Sequence, residues 1–253
     1  YIFVPYNIKY LNMDIQLNTP VGEVVRLNFK TAKIFEQHRI DFCCGGHQSL
    51  EQASEKAQAN PEKVLAEIST VLSQNDPDAS WFERMPLDKL CDYIVERHHS
   101  YVSDTIPFLQ AKLQKLCEVH GDNHPELFDV RELFDQTAAN LTMHMQKEEL
   151  VLFPFVKNLL RIKSNGEKIA PNEISVLEPI HQMEAEHQAE GERFEIIAKF
   201  TGNYTVPSDG CNTYRVGYQT LQEFEQDLHR HIHLENNLLF KKAVQLEEEL
   251  KQI

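Results

Sequence analysis

A chain of 253 residues with 42% hydrophobic and 25% charged side chains has enough apolar mass to bury a proper core, as one large domain or a small one beside a larger. Its 39 acidic against 25 basic residues leave a net charge of −14, which argues against nucleic acid or an anionic membrane surface as a main partner. No apolar run reaches the roughly 18 residues needed to span a bilayer, and five cysteines, an odd number with two adjacent, do not make a disulfide framework, so a reducing, cytoplasmic compartment is expected.

Long stretches of 3.6-residue periodicity, with only nine glycines, predict an all-α protein. Residues 1–13 are apolar and aromatic without a signal-peptide layout and read as an extension ahead of the fold. Residues 14–75 are expected to form a small helical domain. Within it, 20–38 reads as one helix whose apolar face carries Val21, Val24, Val25, Phe29, Ile34 and Phe35. The double glycine that closes Asp41-Phe42-Cys43-Cys44-Gly45-Gly46 is expected to reverse the chain. Ser49 with Gln52 predicts a capping box, and Asn60-Pro61 opens another helix.

The polar, turn-rich run from Ser73 to Ser80 places a linker at about 76–85. From 86 to 253, four helical stretches, about 87–119, 126–163, 172–201 and 211–249, predict a four-helix bundle. Pro154 inside the second predicts a kink or local loosening. Cys91, Cys117 and Cys211 are scattered among the helical segments and read as buried structural thiols.

The bundle carries two related motifs, His144-Met145-Gln146-Lys147-Glu148 and His231-Ile232-His233-Leu234-Glu235. A His and a Glu four residues apart stack on one helix face. Here that face is the apolar stripe, where an unpaired carboxylate costs several kcal/mol, so a compensating cation is expected. Phe153 and Phe240 stand at the same spacing after each motif. The preceding helices add His98 or His99 and, at nearly the same sequence distance, His187. Periodicity does not choose between His98 and His99.

This internal repeat predicts a site of approximate two-fold symmetry with four imidazoles and two carboxylates. That set is too large for one tetrahedral zinc ion and suits two metal ions bridged by carboxylates, with iron the leading choice. His229, His233, Glu149 and Glu184 are expected mostly off the inner face, solvated or supporting the ligands.

Taken together, the Asp41–Gly46 motif, the two His-x-x-x-Glu motifs, Gly121-Asp122-Asn123-His124-Pro125 and Cys211-Asn212-Thr213-Tyr214 resemble the repair-of-iron-centres family of iron-sulfur cluster repair di-iron proteins, the ScdA/YtfE type. The resemblance spans nearly the whole chain from Met13. It implies a hemerythrin-like four-helix bundle preceded by a small helical N-terminal domain. It also implies a cytoplasmic homodimer that restores iron-sulfur clusters in damaged proteins after oxidative or nitrosative stress.

Carried over by motif, the family's two non-haem iron ions fall on His99, His144, Glu148, His187, His231 and Glu235, with a solvent-derived bridge expected. The family usually has Tyr-His where this chain has His98-His99, and often Leu-Phe-Pro where it has Leu239-Phe240-Lys241. The resemblance gives Cys43 and Cys44 a role in iron or sulfur transfer or in redox chemistry; the plain alternative is packing in a turn. Three readings stand at this point: iron donation or nitric oxide reduction in repair, an oxygen or nitric oxide sensor or carrier, and a zinc or manganese hydrolase.

Overall fold

The computed structural model describes residues 15–74, 81–169 and 175–252. The N-terminal extension and the first half of the expected linker lie outside the described residues. The chain divides between Arg84 and Met85 into two units.

The stretch expected to be one helix over 20–38 is two. Helix α1 (Val21–Leu27) stops at Asn28, whose backbone is extended and whose side chain accepts from the Lys30 amide at 3.0 Å. A 3₁₀ turn (Phe29–Thr31) and α2 (Ala32–His38) follow. The apolar spacing survives this break, but a short amide side chain that competes for backbone donors interrupts the helix.

α2 ends on Arg39, which takes the left-handed conformation at φ 55°. Nor do left-handed glycines make the reversal that follows. The Asp41 carboxylate makes it, accepting from the amides of Cys43 (2.9 Å), Cys44 (3.0 Å) and Gly45 (2.7 Å). Glycine is needed at 45 for space, because a Cβ there would lie 2.9 Å from Asp41 Oδ2.

This turn is tied to the start of α1 by hydrogen bonds from Val21 to Gln48 (3.0 Å) and from Gly22 to Gly46 (2.9 Å). The capping box at Ser49 and Gln52 forms and opens α3 (Leu50–Lys56). Asn60 caps α4 (Pro61–Leu72), with Pro61 in its first turn. Val21, Val24, Phe35, Phe42, Leu50 and Ile68 fill the core of this unit. The short α5 (Trp81–Arg84) sets Phe82 against Phe29 and Glu83 against Arg26.

The second unit is the four-helix bundle. Its first long helix runs α6 (Leu87–Ile94), a π turn (Val95–His99) and α7 (Ser100–His120). The second runs α8 (Glu126–Lys147), a π turn (Glu148–Leu152) and α9 (Phe153–Ser164). The third, α10 (Leu177–Phe200), is uninterrupted. The fourth runs α11 (Asn212–Leu234), a π turn (Glu235–Leu239) and α12 (Phe240–Gln252).

α7 and α10 each pack against both α8 and α11, and Phe134, Phe194 and Phe224 meet at the centre. Pro154 sits in the first turn of α9, directly after a π turn, so the expected loosening takes that form. Among the described residues no helix is long and apolar enough to cross a membrane.

Candidate metal centre

Each π turn carries one of the six expected ligands. His99 is the last residue of the first; Glu148 and Glu235 open the other two. A π turn holds one extra residue in the helical ladder, a feature often met at functional sites. The three turns, with His144 from α8, His187 from the unbroken α10 and His231 from α11, bring all six expected residues together in the bundle interior. All six are buried, Glu148 and Glu235 completely.

They form two overlapping groups. His99, Glu148, His231 and Glu235 offer donor atoms within 4.8 Å of one another, and so do His144, Glu148, His187 and Glu235. Glu148 and Glu235 belong to both. The oxygens of Glu148 face His99 Nε2 (3.3 Å) and His144 Nε2 (3.4 Å); those of Glu235 face His187 Nε2 (3.2 Å) and His231 Nε2 (3.0 Å). Each group therefore takes one imidazole from each half of the repeat.

This donor set fits two cations. Both oxygens of Glu148, Oε2 of Glu235 and Nε2 of His99 are buried with no hydrogen-bond partner among the described residues. His144 Nε2 and His187 Nε2 point at each other at 3.0 Å. Leaving buried carboxylates and facing ring nitrogens in this state costs several kcal/mol, which a pair of shared cations offsets.

The electrostatics agree. Burial pulls His99 and His144 towards neutrality, but Glu148 with Glu235 and Glu149 raises His99, and Glu148 with Glu235 and Glu186 raises His144 to about 9. Burial also works against an ionised Glu235, yet the His231 and His187 imidazoles hold its carboxyl well below the usual range.

Three of the four outer ring nitrogens, those of His99, His144 and His187, are held as metal-binding histidines usually are, by oxygen acceptors that fix the tautomer. His99 Nδ1 meets Glu149 Oε1 (2.8 Å), and at the matching place in the second half His187 Nδ1 meets Asn236 Oδ1 (2.8 Å). Phe153 stacks on His99 and Phe240 on His187, at 5.8 and 6.0 Å. His144 Nδ1 meets Glu186 Oε2 (2.9 Å), a carboxylate that also pairs with Lys147. Burial would raise Glu186; its bonds to Lys147 and His144 win and take it to about 2.

His98 is buried but stands outside both groups, its Nδ1 3.1 Å from each carboxylate oxygen of Asp227. Of the two residues that periodicity could not separate, His99 is the one that joins the cluster. His233 lies outside both groups but is completely buried rather than solvated. Its Nδ1 meets Asn237 Nδ2 at 3.1 Å. Sequence reasoning singled out neither Glu186 nor Asn236; their sequence signal is that each adjoins a ligand position, 187 or 235.

In the first unit, Cys43 and Cys44 lie with Asp41 in a third group of possible ligands. The sulfurs are 3.9 Å apart, and Cys43 Sγ donates to Asp41 Oδ1 at 3.1 Å. The hydrogen bond that Cys43 donates to Cys44, burial and the Asp41 charge push the Cys43 thiol well up, so unmetallated it is a thiol rather than a thiolate. Cys91 and Cys117 are buried as expected, but Cys211 is exposed at the N-cap of α11.

This architecture is that of the hemerythrin class: residues 92–243 match the hemerythrin HHE cation binding domain, which implies non-haem iron. Residues 17–72 match the ScdA N-terminal domain, described as a domain of unknown function (DUF542). The iron-sulfur cluster repair protein YtfE of Yersinia pseudotuberculosis serotype O:1b (strain IP 31758) is 34% identical over 227 residues, 90% of this chain and 97% of that protein. YtfE of Y. pseudotuberculosis serotype O:3 (strain YPIII) and of Yersinia pestis (strain Pestoides F) match to the same extent. The chain belongs to this YtfE family.

Proposed function

We propose that the protein is a di-iron repair factor that restores iron-sulfur clusters damaged by oxidative or nitrosative stress. The observation that carries this reading is the pair of four-residue groups sharing Glu148 and Glu235. His99 and His231 would hold one iron, His144 and His187 the other, with Glu148 and Glu235 common to both. When bound, the ions would supply redox-active Lewis-acid chemistry towards a small ligand such as nitric oxide or oxygen.

The remaining groups have supporting roles in this reading. Glu149, Asn236 and Glu186 orient the imidazoles, while Phe153 and Phe240 keep the two lone histidines flat against apolar surface. Cys43 and Cys44 serve delivery of iron or sulfur to the damaged client, becoming thiolates when a soft cation displaces their protons. The protein acts in the cytoplasm as a homodimer, and its partners are damaged iron-sulfur proteins. The name of the Yersinia relatives supports the repair role.

The test is to incubate the iron-loaded protein with a purified hydratase whose cluster has been damaged. Recovery of hydratase activity beyond that given by free iron, lost in Glu148→Ala, is expected. Recovery no greater than free iron, with tight reversible gas binding, would instead favour the oxygen or nitric oxide carrier. If Cys43→Ser/Cys44→Ser keeps its iron and its repair activity, the delivery role of the pair is wrong.

A further inference from the structure

Two motifs remain outside the iron site, Gly121–Pro125 and Cys211–Tyr214. The fold brings them together. They meet at the far end of the bundle, since His99 and His120 are 21 residues apart on one continuous helix, about 30 Å at 1.5 Å per residue. There His120 Nε2 lies 3.3 Å from Cys211 Sγ. His120 is buried and the thiol is exposed. Tyr214 sets its ring edge-on to both His120 (5.3 Å) and His124 (5.7 Å).

The other titratable groups around the pair are accounted for. His124 is bound to Asp209 (3.0 Å) and Glu126 (3.1 Å), and Cys117 donates to the Leu127 carbonyl at 3.3 Å. The pairs formed by His124 leave His120 as the imidazole that serves the sulfur. Cys211 is also the N-cap of a 23-residue helix, whose first amides favour negative charge.

We propose that Cys211, with His120 as its proton partner, is a thiol–disulfide exchange site that takes a low-molecular-weight disulfide such as oxidised glutathione. The thiol proton passes to His120 Nε2. The thiolate attacks one sulfur of the incoming disulfide; the new S–S bond forms as the old one breaks, and the departing thiolate recovers the proton from His120. The products are a mixed disulfide at Cys211 and one free small thiol, with no other oxidant consumed. Excess small thiol reverses the reaction.

Two physical arguments favour this partner. The His120 hydrogen bond, followed by the amides of Tyr214 and Thr213, brings Cys211 down to about 7. Exchange is fastest when the attacking thiol titrates near the ambient pH, since a lower value sacrifices nucleophilicity and a higher one sacrifices thiolate. Exposure at a helix end also admits a bulky disulfide, which the buried Cys43, Cys91 and Cys117 do not.

The experiment exposes the iron-loaded full-length protein to oxidised glutathione across about pH 5.5 to 9. After an acid quench, mass spectrometry reads the mixed disulfide at each cysteine. Cys211 is expected to react first, with a rate midpoint near pH 7. At about pH 6 the net advantage over an ordinary thiol should be roughly fivefold, after allowing for its weaker nucleophilicity.

In His120→Asn the midpoint should rise by about a pH unit or more. If that variant does not fold, the wild-type profile decides alone. An ordinary thiol midpoint near 8.5 at Cys211, or faster reaction at Cys44, overturns the proposal.

Discussion

His98 takes, beside His231, the place that Glu186 takes beside His144. The repeat aligns His99 with His187, and the residue before each projects towards the histidine of the other half. In one half that residue is a carboxylate accepting from Nδ1; in the other it is an imidazole stacked on its neighbour at 5.4 Å and 8°. His231 Nδ1 is accordingly buried with no hydrogen-bond partner among the described residues. The two halves are symmetric in ligands and asymmetric in what supports them.

The shared carboxylates and the unshared imidazoles should separate in metal analysis. Wild type is expected to carry close to two irons per chain. Glu148→Ala and Glu235→Ala each remove a ligand common to both groups and should fall below one. His99→Ala and His187→Ala each touch one group and should retain about one. Equal losses from all four variants would contradict shared carboxylates.

Glu186→Ala should weaken the ion held by His144 and His187 by about 10–100-fold, the usual cost of losing an acceptor behind a metal-bound histidine. A chelator titration would show it as earlier loss of one iron, while the second iron leaves at its wild-type concentration. If both ions shift together, Glu186 is not acting through His144.

The same carboxylate sets a pH dependence in the metal-free protein. Its folded value of about 2 lies below the ordinary 4.5. A depressed value means stabilisation that is fully present above about pH 4.5 and lost as pH falls towards 2. Urea midpoints of wild type and Glu186→Gln should therefore differ most near neutrality and converge in acid. A gap that persists unchanged to about pH 2 would rule out an ionic origin.

Gly121→Ala should destabilise the bundle by about 1–3 kcal/mol, the usual cost of overpacking. The new Cβ would stand 2.6 Å from the Phe128 ring and 2.4 Å from the Cys117 carbonyl oxygen. Chemical denaturation checks this, and a change under about 0.5 kcal/mol would show that Phe128 moves aside freely.

The candidate site was legible because its signal is local and repeated: a His and a Glu one helical turn apart, twice, inside an apolar stripe. The four-helix order followed from the same periodicity. What escaped was non-local or subtle. The pairing of His99 with His231 and of His144 with His187 crosses the halves, and spacing along one helix carries no information on that. A π turn shifts the apolar phase by a single residue, within the tolerance of any periodic pattern. Asn28 breaks a helix whose apolar face continues unchanged, and Asp41 makes a turn for which Gly45-Gly46 supply the more conspicuous signal. His120 and Cys211 are 91 residues apart and touch only once the bundle is closed.

Because each iron would draw one histidine from either half, the ions would work as removable cross-links between the two helix pairs. A covalent bridge holds a fold whatever surrounds it. Here the strength of closure follows the free iron concentration, rising as RT ln(1 + [Fe]/Kd) for each site. Loss of iron and loosening of the bundle would then be one event, so the metal-free protein would differ mechanically from the loaded one.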